Sequence, residues 1–209
     1  MENEFSALFE KNRKWAKRMV DADPDFFDRL ADKQNPKFLW IGCSDSRVPS
    51  NQITGTGPGE LFVHRNIANM VHQNDINMLS VLQYSVEVLK VRHILLCGHY
   101  SCGGVKASLD TTDHGLVDNW IRPLKQIYED HRSEFEGLPE DEVVDRLCEW
   151  NVRQQVQNIG RSTIVQKAWR HGKPLTVHGV IYSLEDGKLQ DMDCSISDPG
   201  QIPAIYHVR

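Results

Sequence analysis

The 209-residue chain has no stretch approaching the roughly 18 uninterrupted apolar residues of a membrane span; its apolar runs are short pieces such as Phe38 to Ile41 and Ile94 to Cys97. That excludes an integral helical membrane protein. It has no long basic run either: Lys plus Arg number 24 against 29 Asp plus Glu, a net charge of -5, which argues against a dedicated nucleic-acid binder. Five cysteines, Cys43, Cys97, Cys102, Cys148 and Cys194, are an odd number at irregular spacing, so no disulfide framework is expected. Without a Cys-x-x-Cys pair, dithiol redox chemistry is the weaker reading. Residues 1–20 are studded with Glu, Lys and Arg and lack the apolar core and cleavage site of a signal peptide, which predicts a cytoplasmic protein. Repeats, low-complexity tracts and linkers are also missing, so one domain, 1–209, with an N-terminal helical arm is expected.

What is present is ordinary for a folded protein, 40% hydrophobic and 25% charged residues. A charged amphipathic helix is predicted near 4–21, with Phe5, Leu8, Trp15 and Met19 on its apolar side. Asp23 and Pro24 read as the cap and first turn of a short second helix carrying Phe26, Phe27 and Leu30. Continuous apolar runs at 37–42 and 93–98 read as buried parallel strands, with another strand at 61–64. Residues 76–89 carry Ile76, Leu79, Val86 and Leu89 near helical spacing. Helical tracts follow near 117–131 and 139–170, then a strand at 175–182 and a hairpin through Asp186-Gly187 into 189–192. The alternation predicts an α/β fold, a mainly parallel β-sheet flanked by α-helices.

In open α/β sheets, ligands collect beyond the carboxyl ends of the strands. The residues there are Cys43-Ser44-Asp45-Ser46-Arg47 and Gly98-His99-Tyr100-Ser101-Cys102-Gly103-Gly104. Cys43, His99 and Cys102 thus form a Cys₂His set of the kind that binds a catalytic zinc and leaves a fourth position free. Cys97, inside its strand, reads as a small buried hydrophobe. Two thiolates neutralise the metal's charge and make its water less acidic than an all-histidine shell would, which favours activity at alkaline pH. Asp45 lies close enough to Cys43 to orient a zinc-bound hydroxide, and Arg47 can hold that carboxylate in a bidentate fork. Gly55-Thr56-Gly57-Pro58-Gly59 resembles a phosphate loop by glycine content alone and lacks the Lys-Ser/Thr that follows in one.

Cys-Ser-Asp-Ser-Arg-Val-Pro (43–49), Pro-Gly-Glu-Leu-Phe-Val-His-Arg-Asn (58–66) and Gly-His-Tyr-Ser-Cys-Gly-Gly (98–104) resemble, in order and spacing, the signature of the β-class carbonic anhydrases. The resemblance runs from about Gln34 to about Tyr182. It implies a lyase that hydrates CO₂ reversibly to bicarbonate and a proton by zinc-bound hydroxide, one zinc per chain, built as a homodimer or dimer of dimers. It implies zinc on Cys43, His99 and Cys102, with Asp45 either paired to Arg47 or filling the fourth position. Gln34, Phe62 and Tyr84 match positions that line the CO₂ pocket in plant-type members. Trp40, Gly42, Arg65 and Tyr182 are similar to a bacterial subgroup in which bicarbonate binds a second, non-catalytic pocket. There, displacement of the Val48-Pro49 turn would release Asp45 from Arg47 onto zinc. Asn51 departs from that subgroup, which often carries an acidic residue in its place. Other linear heterocumulenes, such as carbonyl sulfide, and a non-catalytic zinc-binding regulator are the alternatives. The Asp45-Arg47 pair argues against the second, because a purely structural zinc is normally closed by four protein ligands.

Overall fold

The computed structural model describes residues 3–208, and the chain divides into two units, Met1–Asn35 and Pro36–Arg209. In the first, helix α1 (Glu4–Ala22) is capped by Asn3, whose side chain accepts the Phe5 N–H at 3.0 Å. Helix α2 (Phe26–Asp32) begins after Asp25, two residues later than the Asp23-Pro24 signal suggests. Asp23 instead ends α1, donating its backbone N–H to the Met19 carbonyl, and its carboxylate pairs with Arg29. The Trp15 ring meets Phe26 and Phe27 edge-on at 6.4 and 5.8 Å.

The second unit is built on a five-stranded sheet of order β2-β1-β3-β4-β5, made of β1 (Phe38–Cys43), β2 (Leu61–Asn66), β3 (His93–His99), β4 (Thr176–Tyr182) and β5 (Leu189–Asp191). The first four strands are parallel, and β5 returns antiparallel on β4. β1 and β3 are buried almost throughout, as continuous apolar strands covered on both faces should be. Leu39, Ile41, Ile94 and Leu96 face the main core, while Trp40, Val48 and Cys97 form a smaller cluster with Leu95, Val180 and Tyr182.

The helices are α3 (Ser50–Thr54), α4 (Ile76–Gln83), α5 (Gly103–Leu109), α6 (Leu116–Asp130), α7 (Glu140–Arg161) and α8 (Thr163–Arg170). Two expectations are revised. The helix expected over 76–89 stops being regular at Gln83 and continues as a wider π-turn, Tyr84–Val88. The extra residue per turn rotates the inward face. Met78, Leu82 and Val86 are buried, and Ile76 is exposed. The tract at 139–170 is two helices, broken at Ser162, whose hydroxyl accepts the Val165 N–H at 3.3 Å and starts α8.

α7 lies against β3 and β4, with Cys148, Val152 and Val156 meeting Gly98 and Gly179. Its approach depends on two glycines. A Cβ at Gly98 would stand 2.5 Å from Val152 Cγ2, and one at Gly179 would stand 2.9 Å from Val152 Cγ1 and run into Cys194 Sγ. Gly179→Ala should therefore destabilise the fold by about 1–3 kcal/mol, as over-packing of a filled core does. Denaturant unfolding checks this, and an unchanged midpoint would show that α7 can shift without cost.

Candidate metal and active site

Cys43 is the last residue of β1 and His99 the last of β3, and these strands are neighbours in parallel register with Gly42 opposite Cys97. Their carboxyl ends therefore open side by side. Cys102 follows three residues after His99 as the cap of α5. The two sulfurs lie 3.9 Å apart, and both, with one His99 nitrogen, fall within 4.8 Å of one another. Among the described residues this is the one group of three or more potential ligands that converges so.

His99 Nδ1 lies 2.9 Å from the Tyr100 carbonyl, which can only accept, so the ring proton sits on Nδ1. Nε2 then carries its lone pair toward the sulfurs, and it is buried without a partner among the described residues. A hydrogen bond from the Cys102 thiol lowers Cys43, assisted by backbone N–H groups of Asp45 and Ala68. The same contact, with burial, raises Cys102. Two close, buried sulfurs beside an unpartnered imidazole nitrogen fit a divalent soft-to-borderline cation, whose binding releases thiol protons. By contrast, burial pushes the Cys148 thiol up to about 12 and raises Cys97 as well, so these remain neutral core residues.

Asp45 borders the set, its Oδ2 lying 3.8 Å from His99 Nε2. Arg47 grips the carboxylate bidentately, Nε on Oδ1 at 3.0 Å and Nη2 on Oδ2 at 2.7 Å, and adds its backbone N–H at 2.9 Å. These bonds hold the carboxyl down to about 2. Of the two arrangements expected for Asp45, the structure has the Arg47 pair. Arg65 donates Nε to the Cys43 carbonyl at 2.8 Å and Nη2 to the Asp45 carbonyl at 2.5 Å, bracing the turn.

Phe62 on β2 and Tyr84 at the π-turn meet with ring centroids 5.7 Å apart. Gln34 is exposed in the N-terminal unit, on the extended stretch after α2. Trp40, Gly42 and Tyr182 sit on one face of the sheet, with the indole over Gly42 and its Nε1 buried without a partner among the described residues. Asn51 donates to Thr56 Oγ1 and the Gly57 carbonyl.

The family model for carbonic anhydrase matches residues 38–189. The chain belongs to the β-class carbonic anhydrase family. It is 42% identical to a carbonic anhydrase of Emericella nidulans over 209 residues, all of this chain and 91% of that one. The solved β-carbonic anhydrase CafA of Aspergillus fumigatus superposes with a TM-score of 0.92 at 38% identity, covering 99% of this chain and 100% of that one. A structure described as one of two tetrameric β-carbonic anhydrases from Sordaria macrospora gives 0.90 at 39% identity, over 94% and 100%. The activity of this β-carbonic anhydrase is that of its family. No helix among the described residues is long and apolar enough to cross a membrane.

Sequence reasoning missed a group of polar residues that the carbonic anhydrase fold brings beneath the site. Asn151 Nδ2 donates to the Ala68 carbonyl at 2.9 Å, and Gln155 accepts the Val71 N–H at 3.0 Å. Asp145 accepts the Ser101 N–H at 2.7 Å, and Glu149 accepts the Tyr100 hydroxyl at 3.0 Å. The available signal was that Asn151 and Gln155 interrupt the apolar stripe of Val144, Leu147, Cys148, Val152 and Val156. His64 is buried in β2 beside Asn66.

Proposed function

We propose that this carbonic anhydrase hydrates CO₂ reversibly with one zinc per chain, held by Cys43, His99 and Cys102. The observation that carries the reading is the buried His99 Nε2, turned by the Tyr100 carbonyl toward two sulfurs 3.9 Å apart. Zinc bound there would supply Lewis acidity to water, the chemistry that hydration of CO₂ requires. The remaining work falls to side chains. Asp45, anionic throughout the physiological range and aimed by Arg47, accepts a hydrogen bond from the attacking water and fixes its orientation. Phe62 and Tyr84 offer an apolar wall to an apolar substrate. The assignment of Gln34 as a donor to a CO₂ or bicarbonate oxygen rests on the residue match alone. Assembly as a homodimer or dimer of dimers is proposed from the tetrameric relatives, and a single catalytic domain with a helical arm from the sequence.

A specific observation supports bicarbonate inhibition through Trp40, Gly42, Arg65 and Tyr182. Trp40 Nε1 is a buried donor lacking an acceptor, which an anion oxygen would supply. Arg65 does not stand free, as a simple cationic fork would; it already holds the Cys43 and Asp45 carbonyls. An anion that drew Arg65 away would loosen the turn that presents Asp45 to Arg47. Such a switch needs about 1.4 kcal/mol of differential binding for each tenfold shift between states.

Cys43→Ser, His99→Ala and Cys102→Ser should each lose zinc, because a preformed site stripped of one of three protein ligands loses most of its affinity. Metal analysis that finds one zinc per chain in all three would refute the ligand set. Asp45→Asn should keep zinc while CO₂ hydration by stopped flow falls at least about tenfold, since an amide cannot accept in both directions as the carboxylate does; unchanged turnover would rule out Asp45 as the group that orients the water. Trp40→Val should relieve bicarbonate inhibition and leave alkaline activity intact. Identical inhibition of variant and parent would mean that no second anion site operates.

A further inference from the structure

We propose that Asp145 and Asn151 are positioning residues, through which α7 holds the two loops around the metal set in shapes they would not keep alone. Besides Asn69 at φ 47°, two non-glycine residues in those loops adopt left-handed backbone, Ser101 at φ 53° and Ala68 at φ 58°. L-residues avoid this region because Cβ crowds the neighbouring carbonyl. Each of the two sits where the metal set is aimed. Ser101 lies between Tyr100, whose carbonyl orients His99, and Cys102. Ala68 packs against Gly104, two residues after Cys102, where an added Cβ would stand 3.2 Å from Ala68 Cβ. Each is also tied to α7: Ser101 N–H to Asp145 Oδ1, and the Ala68 carbonyl to Asn151 Nδ2.

The ties are built as a splint. Residues four apart on a helix share a face, so Glu149, one turn after Asp145, reaches the same loop through the Tyr100 hydroxyl, and burial with this bond pushes that phenol up to about 12. Gln155, one turn after Asn151, locks it by donating to Asn151 Oδ1 at 2.9 Å and accepts the Val71 N–H farther along the second loop. The helix itself is seated on the sheet by Val152 between Gly98 and Gly179. A rigid body thus fixes two loops that meet at the donor set, and groups that orient metal ligands commonly contribute roughly 10–100-fold to metal affinity.

This inference rests on the zinc reading of Cys43, His99 and Cys102, and the experiment separates the two. Zinc affinity is measured by chelator competition on the full-length parent, Asp145→Ala, Asp145→Asn and the double variant Asp145→Ala with Ser101→Gly. The thiolate-to-metal charge-transfer band of the cobalt(II)-substituted proteins gives a second readout. Asp145→Ala should bind zinc roughly tenfold more weakly and shift the cobalt band. Asp145→Asn keeps an oxygen for the Ser101 N–H and should match the parent. Ser101→Gly removes the cost of left-handed backbone and should restore most of what Asp145→Ala loses. If Asp145→Ala binds zinc as the parent does, Asp145 has no positioning role. If Asp145→Asn is as weak as Asp145→Ala and glycine restores nothing, the effect is charge, and the proposal is equally overturned. A parent that binds no zinc would overturn the zinc reading together with this one. Asn151→Ala with and without Ala68→Gly repeats the test at the second loop. Because Asn151 is buried, thermal unfolding accompanies it; the half-buried Asp145 carries the decision should the Asn151 variants fail to fold.

Discussion

Two buried sulfurs 3.9 Å apart, facing a buried imidazole nitrogen with no partner among the described residues, form an arrangement that a protein interior does not tolerate by itself. Buried polar groups are ordinarily satisfied, and an orphaned one costs roughly 1–3 kcal/mol. The rest of the second unit can be read as the means of holding these three groups together despite that cost. Parallel pairing of β1 with β3 sets the ends of the two strands side by side. The turn after β1 is tied by Arg65, and the turn after β3 by Tyr100 and Ser101. Those constraints leave Cys43, His99 and Cys102 little freedom to find other partners.

The electrostatics follow from the same grouping. Among the described residues Cys97 and Cys148 join no converging group of potential ligands and are driven by burial into the neutral thiol form, so they serve as packing. Cys43 is held toward the thiolate chiefly by the Cys102 thiol, with backbone N–H groups assisting, and is thus prepared for a cation. Asp45 is kept anionic by Arg47 and lies within 4 Å of the imidazole, yet its hydrogen bonds go to the guanidinium. A carboxylate committed to Arg47 is a neighbour of the set and leaves three protein ligands in place, the donor count of a site that keeps a position open for water.

Local chemistry explains what the sequence revealed. Cys43 and His99 end apolar runs, and an apolar run that stops at a small or polar residue marks the carboxyl end of a parallel strand; the sheet and its three sulfur and nitrogen donors were legible for that reason. Gly104 packs so closely on Ile67 and Ala68 that a Cβ would lie 2.9 Å from Ile67 Cγ2. The π-turn at Tyr84 was invisible, because Ile76, Leu79, Val86 and Leu89 keep near-helical spacing across it and only packing selects the wider turn. The roles of Asp145, Glu149, Asn151 and Gln155 were hidden for a related reason. Asp145, Asn151 and Gln155 meet backbone groups 44 to 84 residues away, and backbone leaves no residue type to recognise, while Glu149 meets the Tyr100 hydroxyl 49 residues away.

That concealment bears on how the fold divides its tasks. The strands place the donors through pairings encoded in hydrophobic pattern, which tolerates exchange among apolar residues of similar volume. The loops place them through left-handed backbone at Ala68, Asn69 and Ser101, conformations that their own sequence disfavours and that persist only when surrounding structure over-determines them. α7 supplies that surrounding structure from one face, apolar toward the sheet and amide- or carboxylate-bearing toward the loops. Stability and site geometry therefore meet on one helix. Val152 carries the first by fitting against two glycines, and Asp145 and Asn151 act on the second through hydrogen bonds to backbone. Changes that move α7 as a body should disturb both properties together, whereas changes to a polar tip should reach the donor set while leaving the core packed.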